Sequence, residues 1–196
     1  MDNSKTRVPI FLDTEFTGLN QHSTLISLAL VKDENAFFYA EFTDYDTAQV
    51  SPWLQENVLA NLKFEKRFSF IESHDGCTCM KGTRDEVRKA LEGWFIQVSE
   101  VEIWADVLAF DWVLFCNIFD DAFQIPQNIF YIPFDMATAL KISGFNPDIS
   151  RKELAFSTEE EKNIVLEKYG SFAQNQHNAL FDAVVLREVY HKVIKT

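Results

Sequence analysis

Two carboxylates close an apolar run near the start of the chain, in Phe11-Leu12-Asp13-Thr14-Glu15-Phe16-Thr17-Gly18-Leu19. A strand sends residues i and i+2 to the same face, roughly 7 Å apart. Asp13 and Glu15 would therefore stand side by side on otherwise buried backbone. Two acids so placed repel each other and are costly to desolvate. A hard divalent cation relieves both penalties, and Mg²⁺ favours carboxylate oxygens of this kind. The pair reads as part of a metal site that other acids should complete.

Two further stretches qualify. Asp111 lies in Ala109-Phe110-Asp111-Trp112-Val113-Leu114-Phe115, and its helical neighbours Val107, Leu108 and Phe115 are apolar. A carboxylate there either serves the site or makes a hydrogen bond at the helix edge. Asp106 is the competing acid, but it sits where an N-cap is expected. The third stretch is His177-Asn178-Ala179-Leu180-Phe181-Asp182. On a continuous helix five residues turn the chain by about 500°, so His177 and Asp182 would not share a face. With Asn178 as the N-cap, His177 belongs to the preceding loop and can fold back over Asp182. A histidine at a helix start is otherwise an ordinary cap or surface group.

The elements that must position these groups follow from periodicity. Val8 to Leu12 suits a strand covered on both faces, with Pro9 near its start. Residues 24–31 and 36–42 read as strands joined by the polar turn Lys32-Asp33-Glu34-Asn35. Ser51-Pro52 opens a short helix reaching about Leu62. Thr83 and Glu86 form a capping box ahead of a helix carrying Val87, Ala90, Leu91, Trp94, Phe95 and Val98 at helical spacing. A strand over 101–104, a helix to about Ile118 and a fifth strand over 128–132 follow. A helix over 134–142 stops at Gly144, and helices near 158–169 and 178–194 complete the chain. Antiparallel pairing suits the first three strands and parallel pairing the later crossovers. The expected architecture is α/β: a mixed five-stranded sheet flanked by helices, in one domain over 1–196.

Composition narrows the partners. The chain has 18 basic and 30 acidic residues, a formal charge of −12. That argues against gripping long duplex nucleic acid through a broad basic field, though a small cleft could still take a strand end. With 19 phenylalanines, the core and any base-stacking surface can be aromatic. Cys77, Cys79 and Cys116 are odd in number, and no signal-peptide pattern opens the chain, so a reduced cytoplasmic setting is expected. No apolar run reaches membrane-spanning length. His74-Asp75-Gly76-Cys77-Thr78-Cys79 has zinc-ligand residue types but lacks a second pair at the usual spacing, and reads as a mobile loop. Lys63, Lys66, Arg67, Lys81, Arg84, Arg88 and Lys89 are the densest basic groups; they form a solvated face or steer a strand toward an acidic cleft. The region 43–82 has no specific reading.

Asp-x-Glu on a strand, an acid on a middle helix and His-x4-Asp on the last helix are together the parts of the DEDDh exonucleases. FLDTEFTGL resembles the first motif of that family, AFDWVLF the second and HNALFDA the third. The resemblance runs from about residue 10 to 190. It is strongest to the small bacterial 3′–5′ exoribonucleases, the ribonuclease T and oligoribonuclease branch. Phe134-Asp135-Met136-Ala137-Thr138-Ala139-Leu140 resembles an intervening segment in which Asp135 is structural. One departure stands out: many members carry His-Asn ahead of the second motif, where this chain has Asp106-Val107-Leu108-Ala109.

The resemblance implies a ribonuclease H-like fold and a two-ion phosphodiester hydrolase releasing nucleoside 5′-monophosphates from the 3′ end of single-stranded RNA or DNA. Asp13, Glu15, Asp111 and Asp182 would hold two Mg²⁺ or Mn²⁺ ions, which oxygen ligands favour. His177 would take a proton from the attacking water, since imidazole ordinarily titrates near neutrality. Phe16, Thr17, Gly18, Leu19 and Phe110 would hold the terminal nucleotide, with Thr17 and its backbone at the 3′ hydroxyl and Phe16 and Leu19 on the last base. Phe16 and Leu19 are otherwise core packing. A homodimer is expected from the family alone. The competing readings are a DNA-trimming or proofreading exonuclease and a nucleic-acid-binding adaptor without turnover.

Overall fold

The computed structural model describes residues 7–64, 69–74, 76–170, 173 and 175–194. Strand β1 (Val8–Phe16) is the organising element. It pairs antiparallel with β2 (Leu25–Asp33) on one side and parallel with β6 (Val101–Ala105) on the other. β3 (Ala36–Phe42) continues outward from β2, followed by β5 (Cys77–Gly82) and the edge strand β4 (Phe70–His74). A two-residue strand, β7 (Phe134–Asp135), closes the other side, giving the order β4-β5-β3-β2-β1-β6-β7.

The sheet is α/β and mixed, as expected, but has seven strands among the described residues instead of five. A β4–β5 hairpin over 70–82 adds two strands, in a region with no specific reading apart from the mobile loop expected over 74–79, and β7 takes the place of the strand expected over 128–132. Asp75 lies outside the described residues, as do Lys66 and Arg67. The expected strand over 128–132 shrinks to a single bridge between Ile129 and Val101. Asn128 explains this: its amide donates to the carbonyls of Phe95 and Val98, drawing the chain toward a helix end and away from a ladder.

Alternation along β1 divides two cores. Ile10 and Leu12 face helices α2 (Arg84–Ile96) and α3 (Ala109–Ile118), packing with Leu91, Phe95 and Phe115. Phe11 faces the opposite layer, built on α4 (Met136–Ile142), α5 (Arg151–Ala155), α6 (Glu159–Glu167) and α7 (Ala179–Val193). α1 (Pro52–Asn57) covers a third, smaller cluster with Leu54 and Val58. Fully burying an aliphatic or aromatic side chain contributes about 1.5–3 kcal/mol, so both faces of the central strands hold the sheet rigid. Asp13 and Glu15 continue the Phe11 face, toward α7. Opposite them in the ladder stand the small residues Ala29 and Ser27, which leave room above the acids.

The local caps match their sequence signals. Thr83 and Glu86 form the capping box of α2, Ser51 caps α1 ahead of Pro52, and Asn178 caps α7. Asp135 caps α4 and also accepts the Leu108 amide hydrogen at 3.2 Å, a structural role. No described helix is long and apolar enough to cross a membrane.

Candidate active site

β6 stops at Ala105, and its last partner on β1 is Phe11, while β1 runs on to Phe16. Beyond that point the strand has an open edge at the carboxyl end of the sheet. Asp111, in the first turn of α3, fills part of it: Oδ1 accepts the Thr14 backbone N–H at 3.0 Å and the Thr14 hydroxyl at 2.7 Å. From the other layer, Asp182 projects from the first turn of α7. Four carboxylates thus meet at one strand end from three elements. Asp13, Glu15, Asp182 and His177 line a shared cleft of about 540 Å³, and Asp111 sits against Thr14 at its margin.

His177 lies outside the helix, as the Asn178 cap requires. Its backbone is left-handed (φ 60°), which lets its N–H donate to Asp182 Oδ2 at 2.9 Å. A ring nitrogen of His177 and carboxylate oxygens of Glu15 and Asp182 all lie within 4.8 Å of one another. Trp53 of α1 meets the imidazole edge-on, with centroids 5.2 Å apart.

Burial and mutual repulsion dominate the electrostatics of the cleft. Burial, then Asp182, Asp111, Glu15 and Asp106, push the Asp13 carboxyl well above its ordinary range. Burial, then Asp182 and Asp111, push Glu15 up to about 8. Burial lifts Asp182 to about 7, against the His177 N–H, and Asp111 to about 6, against the two Thr14 hydrogen bonds. Oxygen donors that repel one another around a cleft fit hard divalent ions, Mg²⁺ or Mn²⁺.

The residues expected to hold the terminal nucleotide stand elsewhere. None of Phe16, Thr17, Gly18, Leu19 and Phe110 lines this cleft. Thr17 is only 4% exposed, and its hydroxyl donates to Gln49 Oε1 at 2.7 Å and accepts the Thr24 N–H at 2.9 Å. That hydroxyl is engaged within the loop, to Gln49 and Thr24. Phe16 and Phe110 stack on each other at 5.8 Å and pack against the α2–α3 core. Leu19 is 76% exposed, so it is not core packing.

Asp106 is a second correction. The N-cap position of α3 belongs to Leu108, because Val107 takes a left-handed turn (φ 48°) that carries the chain past Asp106. Asp106 instead lines the cleft and pairs with Arg151. The basic groups are also reassigned. Lys81 is buried against Glu41 at 3.9 Å, and Arg84 and Arg88 both pair with Asp120, so these three do not form a free basic face.

A buried polar network supports the start of α7. Asn178 Nδ2 donates to the Tyr39 hydroxyl (3.1 Å) and the Asn61 carbonyl (3.3 Å), and Tyr39 donates to Glu41 (2.9 Å). Glu41 also accepts the Lys63 N–H at 2.5 Å. Burial raises the Glu41 pKa, and the Lys63 N–H, Tyr39 hydroxyl and Lys81 oppose that rise. Tyr39→Phe should lower the urea midpoint by an amount equal to about 1–3 kcal/mol, because it leaves a buried carboxylate and a buried amide short of a partner. An unchanged midpoint would mean the network contributes nothing.

Fold and site together define an α/β, ribonuclease H-like chain with carboxylates gathered at the end of its central strand. No family model matches it. Proteins from two strains of Mycobacterium tuberculosis, each named a 3′–5′ exoribonuclease, are 25% identical to it over 122 residues, 61% of this chain and 66% of theirs. The match thus spans just under two thirds of those relatives' length. The catalytic unit of Neurospora crassa Pan2, a protease and nuclease domain, shares the fold over 97% of this chain and 28% of its own, with a TM-score of 0.50 and 18% identity. The chain is similar to the DEDD-type 3′–5′ exonucleases.

Proposed function

We propose that this chain is a metal-dependent 3′–5′ exoribonuclease, a single exonuclease domain that releases nucleoside 5′-monophosphates from RNA or short oligonucleotides. The observation that carries the reading is the convergence of Asp13, Glu15, Asp111 and Asp182 with His177 at the open end of β1. Asp13, Glu15, Asp111 and Asp182 would hold two Mg²⁺ or Mn²⁺ ions. Ions there would polarise the phosphate and offset the charge that develops on the displaced oxygen.

The chain's own residues divide the remaining work. The His177 imidazole removes a proton from the attacking water. The Asp182 carboxylate, through the His177 N–H, fixes the loop that aims the ring. Thr14 holds Asp111 by two hydrogen bonds, so that carboxylate needs little reorganisation. None of the three cysteines forms a disulfide, which suits a reduced cytoplasm.

Incubation of 5′-labelled single-stranded RNA and DNA with Mg²⁺ or Mn²⁺, with and without EDTA, tests this. A descending ladder on RNA alone, lost with EDTA, is the expected result. A ladder on DNA as well would make the protein a general exonuclease. No ladder on either would leave a binding adaptor. His177→Ala should lower kcat about 10²–10⁴-fold, the usual contribution of a positioned base; retention of more than a tenth of kcat would remove His177 from that role.

A further inference from the structure

The cleft presents a problem of charge. Four carboxylates line it (Asp13, Glu15, Asp106 and Asp182) and Asp111 stands at its margin, yet its substrate would be a polyanion. Arg151 and Lys152 are the cations among its lining residues. Lys152 is half exposed and pairs with Glu159 at 3.3 Å. Arg151 is different. Its side chain is 17% exposed and is held from two sides.

On one side, Nη2 donates to Asp106 Oδ1 at 3.0 Å, and Nε lies 2.8 Å from Oδ2. On the other, Nη1 donates to the Ile149 carbonyl at 2.6 Å. The Nε hydrogen is not aimed at Oδ2 and makes no directed bond among the described residues. Nε is itself buried, so with two N–H groups in directed bonds the open donors of the five are one hydrogen on each of Nη1 and Nη2. The plane of the group is fixed while donors remain. A planar fork oriented beforehand is the arrangement that binds phosphate oxygens with least loss of freedom.

We infer that Arg151 is the phosphate anchor of this cleft: oriented by Asp106, it binds one phosphate of the substrate strand upstream of the linkage being cut. The inference rests on the exonuclease reading of the same site. Asp106 is then a positioning residue, its charge absorbed by Arg151. Arg151 sets affinity; the hydrolytic step belongs to the other side chains.

The test combines kinetics with binding on short 5′-labelled RNA. Arg151→Gln should raise KM about 10–100-fold, as loss of charge-assisted hydrogen bonds implies, with kcat within about threefold. Arg151→Lys should fall between, keeping the charge and losing the fork. Asp106→Asn should raise KM by a smaller factor than Arg151→Gln. Methylphosphonate linkages, introduced one at a time, then locate the contact by fluorescence anisotropy. One neutral linkage should weaken the wild type about tenfold or more and leave Arg151→Gln unchanged. If Arg151→Gln lowers kcat at constant KM, or if every neutral linkage affects both proteins alike, Arg151 is only a brace for α5 and the proposal is wrong. Should Arg151→Gln melt far below the wild type, Arg151→Lys and Asp106→Asn carry the same comparison. If the wild type cleaves neither RNA nor DNA, the exonuclease reading fails by itself. The anisotropy scan still judges the anchor.

Discussion

Asp13→Asn should abolish cleavage and, in the same protein, raise the melting temperature measured in EDTA. Asp13 is repelled by Asp182, Asp111, Glu15 and Asp106 at once. Asparagine is nearly the same size and keeps hydrogen-bonding capacity, so the substitution removes charge with little change in packing. The metal-free fold loses a repulsive centre and gains stability. Under the proposed function, catalysis would lose an oxygen ligand, whose worth in a metal site is several kcal/mol of transition-state stabilisation. A fall of about 10³-fold or more in kcat/KM is expected. Opposite signs for activity and stability distinguish a functional acid from a structural one, because a carboxylate that held the fold together would lower both when neutralised. If Asp13→Asn melts lower in EDTA while cleaving normally, the carboxylate cluster is structural and the proposed function is wrong.

The second large effect is linked to pH. Glu15 moves from an ordinary 4.5 to about 8, Asp182 to about 7 and Asp111 to about 6. Raised carboxyl pKa values mean that the folded chain binds more protons than the unfolded chain between roughly pH 4 and pH 8. Stability in EDTA should therefore be full near the lower limit and be lost as pH rises toward 8. Glu15, Asp182 and Asp111 all contribute in this same direction. Divalent cations should reverse the trend, since they replace the missing protons. At a concentration about 100 times Kd, each bound Mn²⁺ should stabilise by about 2.7 kcal/mol. That is about 5–10 °C for a chain of this length. The gain should be larger at pH 8 than at pH 5, where protons compete for the same oxygens. Urea melts at the two pH values, with EDTA or Mn²⁺, give all four numbers. A midpoint independent of pH and manganese would contradict both the electrostatics and the metal assignment.

Asp13, Glu15, His177 and Asp182 were legible as candidates because each lies in a short segment whose periodicity betrays it. Acids two apart on a strand share a face, and an asparagine at a helix start pushes the residue before it into a loop. Caps were legible for the same local reason. The Asp106–Arg151 pair was not, since 45 residues separate the partners and nothing near Arg151 marks it as a cleft residue. The role of Thr14 was hidden too: a threonine in a strand predicts only a strand, while its bond to Asp111 depends on where β6 ends. The β4–β5 hairpin was obscured by its composition. β5 reads Cys-Thr-Cys-Met-Lys-Gly, and Lys81 looks like a surface residue until Glu41 is found buried beside it. Long-range pairs of charges override local polarity, and a single chain read in sequence order does not reveal them.

The alternation of β1 has one more consequence, for folding. Should β1 pair with β2 one residue out of frame, Asp13 and Glu15 would swing into the greasy layer of α2 and α3, and Leu12 would take their place above α7. Each uncompensated acid there costs several kcal/mol. The misaligned hairpin carries that cost with no cleft to open the acids to water, so the acids double as sentinels against a wrong frame before the layers close.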